Sequence, residues 1–319
     1  MYYAIRHITR YRYSGPITES HMELRMQPRS EGSQRCWDFQ LRTSPRAEID
    51  SYRDSVGNTV HFFDVPARHT RMTITADARV EYTAPPPLPE KLDPSEWAEI
   101  DAIASEDEFW ELLAPSKFVK STPLLRSLEA ELGFCRGSDP LTTLRQLNRS
   151  VYKSFAYTPK STRVDSPIDD ALETRKGVCQ DFSHVMIALV RDLGIPCRYV
   201  SGYLFQANAS SENDRSTPGA THAWVEAYMP SLGWVGFDPT NNLLTANRHI
   251  RVAVGRDYSD VPPTHGVFRG DVKSELAVDV QVAPSEAPIL EDAPLSTVWV
   301  GVESPEESTS IHQQPQQQQ

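Results

Sequence analysis

Residues 174–196 read TRKGVCQDFSHVMIALVRDLGIP, and this stretch decides the fold. The residues from Val185 to Leu193 are mostly apolar, which predicts a largely buried helix. Gly194 supplies the left-handed conformation that ends a helix, and Pro196 is a residue type that often follows one. Cys179 therefore lies at the predicted N-terminus, where free backbone N–H groups and the helix dipole favour a thiolate. The ordinary alternative is a buried, unreactive thiol.

Two predicted strands follow this helix. Residues 221–229 read THAWVEAYM and residues 234–242 read WVGFDPTNN, and the short connection PSLG between them predicts a β-hairpin. His222 begins the first strand and Asp238 ends the second. Because antiparallel strands run in opposite directions, these two ends lie side by side and bring an imidazole next to a carboxylate. Taken singly, each has an ordinary reading, since aspartate before proline is a common turn former and a lone histidine is usually a packed or surface residue.

Cys179, His222 and Asp238 together have the chemistry of a nucleophilic triad. A thiol nucleophile needs a base that takes its proton and later protonates the leaving amine, and that base needs a group that orients it. The three residues supply these roles in that order. The sequence alone does not show the helix packed against the hairpin, so the triad is a hypothesis.

Composition and charge restrict the class of protein. The 319 residues include 39% hydrophobic and 24% charged side chains, as in soluble globular proteins, and this length predicts about two domains. A net charge of −11 argues against nucleic-acid or anionic membrane partners. No apolar run approaches the roughly 18 residues of a spanning helix, and no signal-peptide core is present, so we expect a cytoplasmic location. The four cysteines form no CxxC pair and are expected to be free thiols.

The pattern along the chain predicts separate domains. Residues 1–83 alternate β-branched and aromatic residues with polar ones and carry regular turn signals, which predicts an antiparallel β-sandwich. Proline-rich residues 84–94 are expected to form a linker. Residues 95–290 are expected to form the catalytic domain. Residues 303–319, ESPEESTSIHQQPQQQQ, are expected to be a disordered tail, with an interaction segment as the alternative.

Three helices are predicted between the linker and the nucleophile. The first begins after Ser95, the second runs from Pro123 to Gly133, and the third has Asp139 as its N-cap and Pro140 at its first position. Apolar residues of the third helix recur at spacings of three and four. This spacing predicts one buried stripe, formed by Leu141, Leu144, Leu147, Val151 and Phe155.

Residues 177–204, 221–242 and 249–270 resemble the signature blocks of the bacterial transglutaminase-like superfamily, whose members are also described as transglutaminase-like cysteine peptidases. Residues 1–83 resemble the N-terminal domain that accompanies this catalytic domain in many bacterial members. The resemblance implies an α+β fold in which an antiparallel β-sandwich precedes a papain-like core, with the nucleophile helix packed on an antiparallel sheet. It also implies the roles of the triad: Cys179 as nucleophile, His222 as general acid and base, and Asp238 as orienting carboxylate.

The resemblance further implies acyl transfer from an amide through a thioester on Cys179. We expect peptidase or amidase hydrolysis of a protein or peptide substrate, without a cofactor or metal. Transfer of a glutamine acyl group to an amine, as in transglutaminases, is one alternative, and an inactive binding module of the same fold is another. A zinc site is a further alternative, although its spacings match no zinc motif; its residues would be Cys179, His184, Cys197 and His222.

Several neighbours of the nucleophile are candidate supporting residues. Asp181 in the first helical turn complements the helix dipole, and His184 is more typical of a packed side chain than of a catalyst. Tyr157 and Thr162 are candidates to line an oxyanion site. The backbone N–H of Cys179 is the preferred oxyanion donor. Gln180 is treated as supporting.

Overall fold

The computed structural model describes residues 1–206, 215–285, 300–301, 311–313 and 316–317. Within these residues the fold is α+β, with three five-stranded sheets, helices grouped around one of them, and a small parallel pair between β7 and β8. The strands are β1 Tyr2–Ile17, β2 Glu19–Leu24, β3 Gln34–Ser44, β4 Asp50–Arg53, β5 Thr59–Val65, β6 His69–Tyr82, β7 Ala156–Tyr157, β8 Lys176–Gly177, β9 Cys197–Leu204, β10 His222–Met229, β11 Gly233–Asp238, β12 Leu243–Leu244, β13 His249–Gly255, β14 Thr264–Arg269, β15 Ser274–Pro284, β16 Val300–Gly301 and β17 Ile311–Gln313. The α-helices are α1 Glu96–Ile103, α2 Trp110–Leu113, α3 Pro123–Leu132, α4 Pro140–Ser154, α5 Ile168–Thr174 and α6 Cys179–Asp192.

Two of the sheets form a β-sandwich, as the alternating pattern predicts. One sheet has the order β16-β15-β1-β6-β3 and the other β17-β14-β2-β5-β4. Apolar side chains from both sheets meet in one buried cluster that includes Tyr11 and Ile74 from the first and Met22 and Phe63 from the second. Burying one face of each sheet in this way is what makes the sandwich stable.

The sandwich also contains strands from late in the chain. β15 pairs with β1 and β14 pairs with β2, both antiparallel. Residues 264–284 thus belong to the sandwich, although the sequence analysis placed residues 95–290 in the catalytic domain. The reason is that alternation identifies a strand but not its partner, and the catalytic segment is inserted between strands of one sandwich.

The third sheet carries helix α6, which begins at Cys179. Its order is β12-β11-β10-β9-β13, and α6 packs on it within the largest apolar cluster. Small residues on β10, Ala223 and Ala227, are fully buried and leave room for the helix. Phe182 and Val185 fill that space from the helix side. This is the helix-on-sheet core that the resemblance implies.

The three predicted helices before α6 are present, but the first, expected as one helix over residues 96–113 capped by Ser95, is divided into α1 and α2. Asp139 caps α4 by accepting a hydrogen bond from the N–H of Thr142 at 2.9 Å. Gly133 ends α3 in the left-handed conformation, with φ 58°. Helix α1 begins after Ser95, whose side chain makes no capping bond. The apolar stripe of α4 is buried as predicted: Leu141, Leu144, Leu147, Val151 and Phe155.

Two amide side chains of the sandwich cover the edge of the third sheet. Gln34 exchanges hydrogen bonds of 2.7 and 2.8 Å with the backbone C=O and N–H of Arg251 on β13. Asn58 does the same with Val254, at 2.8 and 2.9 Å. Each amide side chain makes the two hydrogen bonds that a neighbouring strand would make. The backbone groups of Arg251 and Val254 on the edge strand β13 are therefore satisfied by the sandwich.

The described part of the C-terminal segment is more ordered than the sequence predicts. β17 pairs with β14, and Gln317 is buried, with its side-chain amide donating to Thr221 Oγ1 at 2.5 Å. Other residues of the predicted tail at 303–319 lie outside the described residues. Among the helices of the described ranges, none has the length and apolar character needed to cross a membrane.

Candidate active site

Cys179 is the first residue of α6 and is 2% exposed. The helix start is held by Asp181, whose Oδ2 accepts hydrogen bonds from the N–H of Val178 at 2.8 Å and from Thr162 Oγ1 at 2.6 Å. A Cβ at Gly177 would lie 2.7 Å from the Cβ of Asp181. Glycine at this position therefore lets the chain turn tightly around the Asp181 carboxyl, whose pKa is raised to about 6 by burial.

The hairpin places His222 and Asp238 on one face of the sheet. The register pairs Val225 with Phe237, which puts Asp238 opposite Trp224 and diagonal to His222. Diagonal neighbours on one face are within reach of long side chains. His222 Nε2 lies 2.8 Å from Asp238 Oδ2, and both side chains are buried.

The Asp238 carboxylate accepts five hydrogen bonds. Its Oδ1 accepts from the backbone N–H groups of Thr240 at 3.0 Å and Asn241 at 3.1 Å. Its Oδ2 contacts His222 Nε2, Asn241 Nδ2 at 2.8 Å and His249 Nε2 at 3.1 Å. So many donors stabilise the ionised carboxylate and fix its orientation.

The two histidines that contact Asp238 have pKa values shifted in opposite directions. Burial lowers the pKa of His222, but the Asp238 carboxylate and the contact with Cys179 outweigh burial and raise it to about 10. Burial prevails at His249 and lowers its pKa, although Asp238 opposes the shift. The pKa of Asp238 itself is far below its ordinary value because the two histidines outweigh its burial. His222 thus carries the positive charge at neutral pH while His249 stays neutral.

The other nitrogen of His222 faces the nucleophile. Because Nε2 points to Asp238, Nδ1 is the nitrogen available to Cys179, whose side chain is within hydrogen-bonding reach of the imidazole. Ser216 Oγ also lies 3.3 Å from Nδ1, and Asn241 Nδ2 donates to that hydroxyl at 2.9 Å. The structure therefore brings the three predicted residues together in the order thiol, imidazole, carboxylate. Their catalytic roles remain predictions.

The two oxyanion candidates have different surroundings. Thr162 is 6% exposed, and its hydroxyl donates to Asp181, so it supports the helix start. Burial and the nearby Cys179 raise the pKa of Tyr157 to about 12. Its hydroxyl is 3.0 Å from Thr217 Oγ1. Tyr157 is thus the better placed of the two.

Neither metal arrangement is favoured by the side-chain contacts. For the zinc hypothesis, His184 Nε2 accepts from the N–H of Tyr258 at 3.2 Å, and Cys197 Sγ donates to the C=O of Ile187 at 3.6 Å. Among the described residues, three potential ligand atoms do lie within 4.8 Å of one another, on His222, Asp238 and His249. The two imidazole nitrogens lie 2.8 and 3.1 Å from Asp238 Oδ2, which are hydrogen-bond distances.

Sequence reasoning missed His249, Ser216 and Asn241. His249 begins β13, which reaches the site only because β13 pairs with β9 and β9 pairs with β10. That strand order has no local signal. Asn241 could have been suggested by its place three residues after Asp238, where turn side chains often bond back.

Two family models match this chain. Residues 3–81 match the family described as the bacterial transglutaminase-like N-terminal region, and residues 130–239 match the transglutaminase-like superfamily. An uncharacterized protein of Mycobacterium leprae is 34% identical over 280 residues, covering 86% of this chain and 96% of its own. A protein-glutamine gamma-glutamyltransferase of Pseudomonas aeruginosa is 33% identical over 121 residues, covering 37% of this chain and 18% of its own.

A solved structure shares the fold over nearly the whole length. A proposed cysteine protease from Cytophaga hutchinsonii superimposes with a TM-score of 0.71 at 22% identity, covering 99% of this chain and 98% of its own. The two family matches fall on the sandwich and on the segment that carries the nucleophile helix and the hairpin. The chain belongs to the transglutaminase-like superfamily.

Proposed function

We propose that the protein catalyses acyl transfer from an amide through a thioester on Cys179. The observation that carries this proposal is the buried imidazole of His222, which lies 2.8 Å from the Asp238 carboxylate on one side and within hydrogen-bonding reach of Cys179. An imidazolium beside a sulfur at a helix N-terminus favours the thiolate, which is the nucleophilic form. The fully hydrogen-bonded Asp238 keeps the imidazole oriented.

The first half-reaction forms the thioester. The Cys179 thiolate attacks the amide carbonyl carbon, and the negative charge moves to the carbonyl oxygen, where the backbone N–H of Cys179 is the proposed donor. The tetrahedral intermediate collapses with cleavage of the C–N bond. The proton on His222 goes to the leaving nitrogen, which departs as an amine or as ammonia, and His222 is left neutral.

The second half-reaction frees the enzyme. Neutral His222 takes a proton from the incoming nucleophile, which attacks the thioester and releases Cys179 as the thiolate. With water the product is a carboxylic acid, and this hydrolysis is the outcome we propose first. With an amine the product is a new amide. This second candidate is favoured by the name of the Pseudomonas relative, a protein-glutamine gamma-glutamyltransferase.

Mass spectrometry of a peptide pool rich in glutamine and lysine tests the proposal. The reaction is run in ¹⁸O-labelled water, so that peptide cleavage, glutamine deamidation and amine crosslinking give distinct masses. We expect ¹⁸O to enter the product acids, and Cys179→Ala to abolish every product. Products that persist in Cys179→Ala would contradict the nucleophile, and crosslinks without labelled acids would replace hydrolysis by transamidation. The cytoplasmic location remains a proposal beside this one.

A further inference from the structure

We infer that the substrate is an extended polypeptide whose backbone pairs with the outer edge of β15 at Val280–Val282, so that the sandwich supplies part of the substrate site. This inference rests on the proposed function and names the substrate class that reaches the same thiol. A free amino acid or a small amide could not make these contacts, because they involve substrate backbone groups remote from the reacting carbonyl.

A cavity beside the catalytic histidine gives the first observation. The cavity has a volume of about 250 Å³, and one of its walls is His222. Ser216 also lines it, and Ser216 Oγ lies on the Nδ1 side of His222, which is the side of the nucleophile. The sandwich strand β15 also lines it, with Val280, Gln281 and Val282. Substrate in this cavity would therefore touch both units.

The hydrogen-bond alternation of β15 gives the second observation. Backbone bonds between Ser14 and Lys273 at 2.9 Å and between Ser285 and Tyr2 at 3.0 Å fix which residues bond to β1. In an antiparallel ladder the backbone N–H and C=O groups of one residue point toward one neighbouring strand, and those of the next residue point to the opposite edge. The odd-numbered residues of β15 bond to β1, so the N–H and C=O groups of Val280 and Val282 point outward.

Among the described residues, no strand pairs with the outward side of β15 at Val280–Val282. β16 pairs with β15 only at Glu275 and Leu276. The N–H of Val280 already donates to the C=O of Gly219 at 2.9 Å, so one outward group of this edge is already used by backbone. Gly219 has a φ of 78°, so the chain turns away immediately afterwards. Within the described residues the next outward donor, the N–H of Val282, has no partner.

An added strand is a recognised way to bind a peptide, because main-chain bonds give affinity and are tolerant of sequence. The Val280 C=O and the Val282 N–H and C=O offer one donor and two acceptors to such a strand. Leu204, Gln206 and His222 line the same cavity, so a strand bound at this edge would lie beside His222. We therefore expect longer acyl donors to react faster than a single blocked residue.

The test compares two reagents for the Cys179 thiol. Tetra-alanyl chloromethyl ketone carries a peptide backbone without distinctive side chains, and iodoacetamide carries none. Val282→Pro removes the outward N–H without breaking the ladder to β1, since edge prolines are tolerated where the N–H faces away from the partner strand. Val282→Ala is the matched control, because it trims the side chain and keeps the N–H.

We expect Val282→Pro to slow labelling of Cys179 by the tetrapeptide reagent five- to tenfold, about the effect of one lost hydrogen bond. Labelling by iodoacetamide, read by mass spectrometry of the Cys179 peptide, should be unchanged in both variants. Equal slowing of both reagents would mean a disturbed thiol, and unchanged labelling by the tetrapeptide would mean no edge pairing; either result overturns the inference. Absence of fast iodoacetamide labelling in the parent would instead refute the proposed function.

A second measurement does not depend on a folded variant. The parent protein is treated with tetrapeptide reagents that carry one N-methyl group at successive positions. Edge pairing predicts that one or two positions lose most of their labelling rate and the others lose little. A uniform response would overturn the inference.

Discussion

His249 Nε2 lies 3.1 Å from Asp238 Oδ2, the same oxygen that contacts His222. The backbone N–H of Ala246 donates to His249 Nδ1 at 3.4 Å, so His249 carries its proton on Nε2 and donates it to Asp238. A neutral donor on the far side of the carboxylate holds it in place without competing for the charge on His222. His249 is therefore a positioning residue.

We predict that His249→Phe lowers kcat about tenfold and leaves KM nearly unchanged, because the carboxylate loses a donor and the substrate contacts do not change. His249→Gln retains an N–H donor and should recover most of the rate. Steady-state kinetics on the most reactive peptide of the pool provides the measurement. If both variants lose stability and neither changes kcat, His249 contributes only to packing.

The triad predicts that substitutions of His222 and Asp238 lower the reaction rate to different extents. Asp238→Asn removes the charge that raises the pKa of His222 but leaves an amide that can still orient the ring, while His222→Ala removes the proton carrier. We expect His222→Ala to be at least tenfold slower than Asp238→Asn, a difference of about 1.4 kcal/mol in barrier. Circular dichroism checks that both are folded. Parent activity in Asp238→Asn would make Asp238 a turn residue only.

Gly177→Ala should disturb the nucleophile helix. The new Cβ meets the Asp181 side chain at 2.7 Å, and overpacking of this kind costs roughly 1–3 kcal/mol. Gly133→Ala is the control, because its Cβ meets nothing within 4 Å and only the left-handed φ of 58° opposes it. Urea unfolding measures both. In an Asp181→Gly background, which removes that Cβ, the cost of Gly177→Ala should fall, and an unchanged cost would exclude the steric explanation.

Buried neutral histidines make the fold sensitive to acid. Burial lowers the pKa of His184 to about 4 and that of His7 to about 3. Between pH 6.5 and these values the unfolded chain binds protons that the folded chain does not, so stability falls as the pH falls. Asp181 acts in the opposite direction, since its folded pKa is raised to about 6. Because two histidines lower the stability in acid and Asp181 raises it, we expect a net loss of stability as the pH falls.

His184→Gln isolates one of these contributions. The glutamine oxygen can accept the Tyr258 N–H and does not titrate. We expect the loss of stability between pH 6.5 and 4 to shrink by on the order of 3 kcal/mol relative to the parent. Urea unfolding at stepped pH provides the measurement, and parallel curves for the two proteins would show that His184 is protonated equally in the folded and unfolded states.

The predictable parts of the structure are those with local signals. Asp139 before Pro140 marks a helix start because capping and the proline φ act within a few residues. The meeting of His222 and Asp238 follows from a hairpin with a short connection. The position of Cys179 at a helix start follows from the apolar run that comes after it.

The parts that could not be predicted depend on contacts between distant segments. The pairing of β1 with β15 joins residues that the whole catalytic segment separates, and neither strand encodes its partner. His249 reaches Asp238 only through the order of the strands between them. The use of Thr162 as a donor to Asp181 depends on how the loop before α5 folds back. Each of these is decided by packing of the complete chain.

The insertion of the catalytic segment between β1 and β15 has a consequence for translation. The ribosome releases β1 first, and β15 emerges only after the nucleophile helix and the hairpin have been made. The nascent chain can pair β1 with β6 early, but the other edge of β1 waits for the last strands. Cys179 and His222 are thus synthesised before β15, so the first sheet of the sandwich is completed only after the whole segment that carries these two residues has emerged.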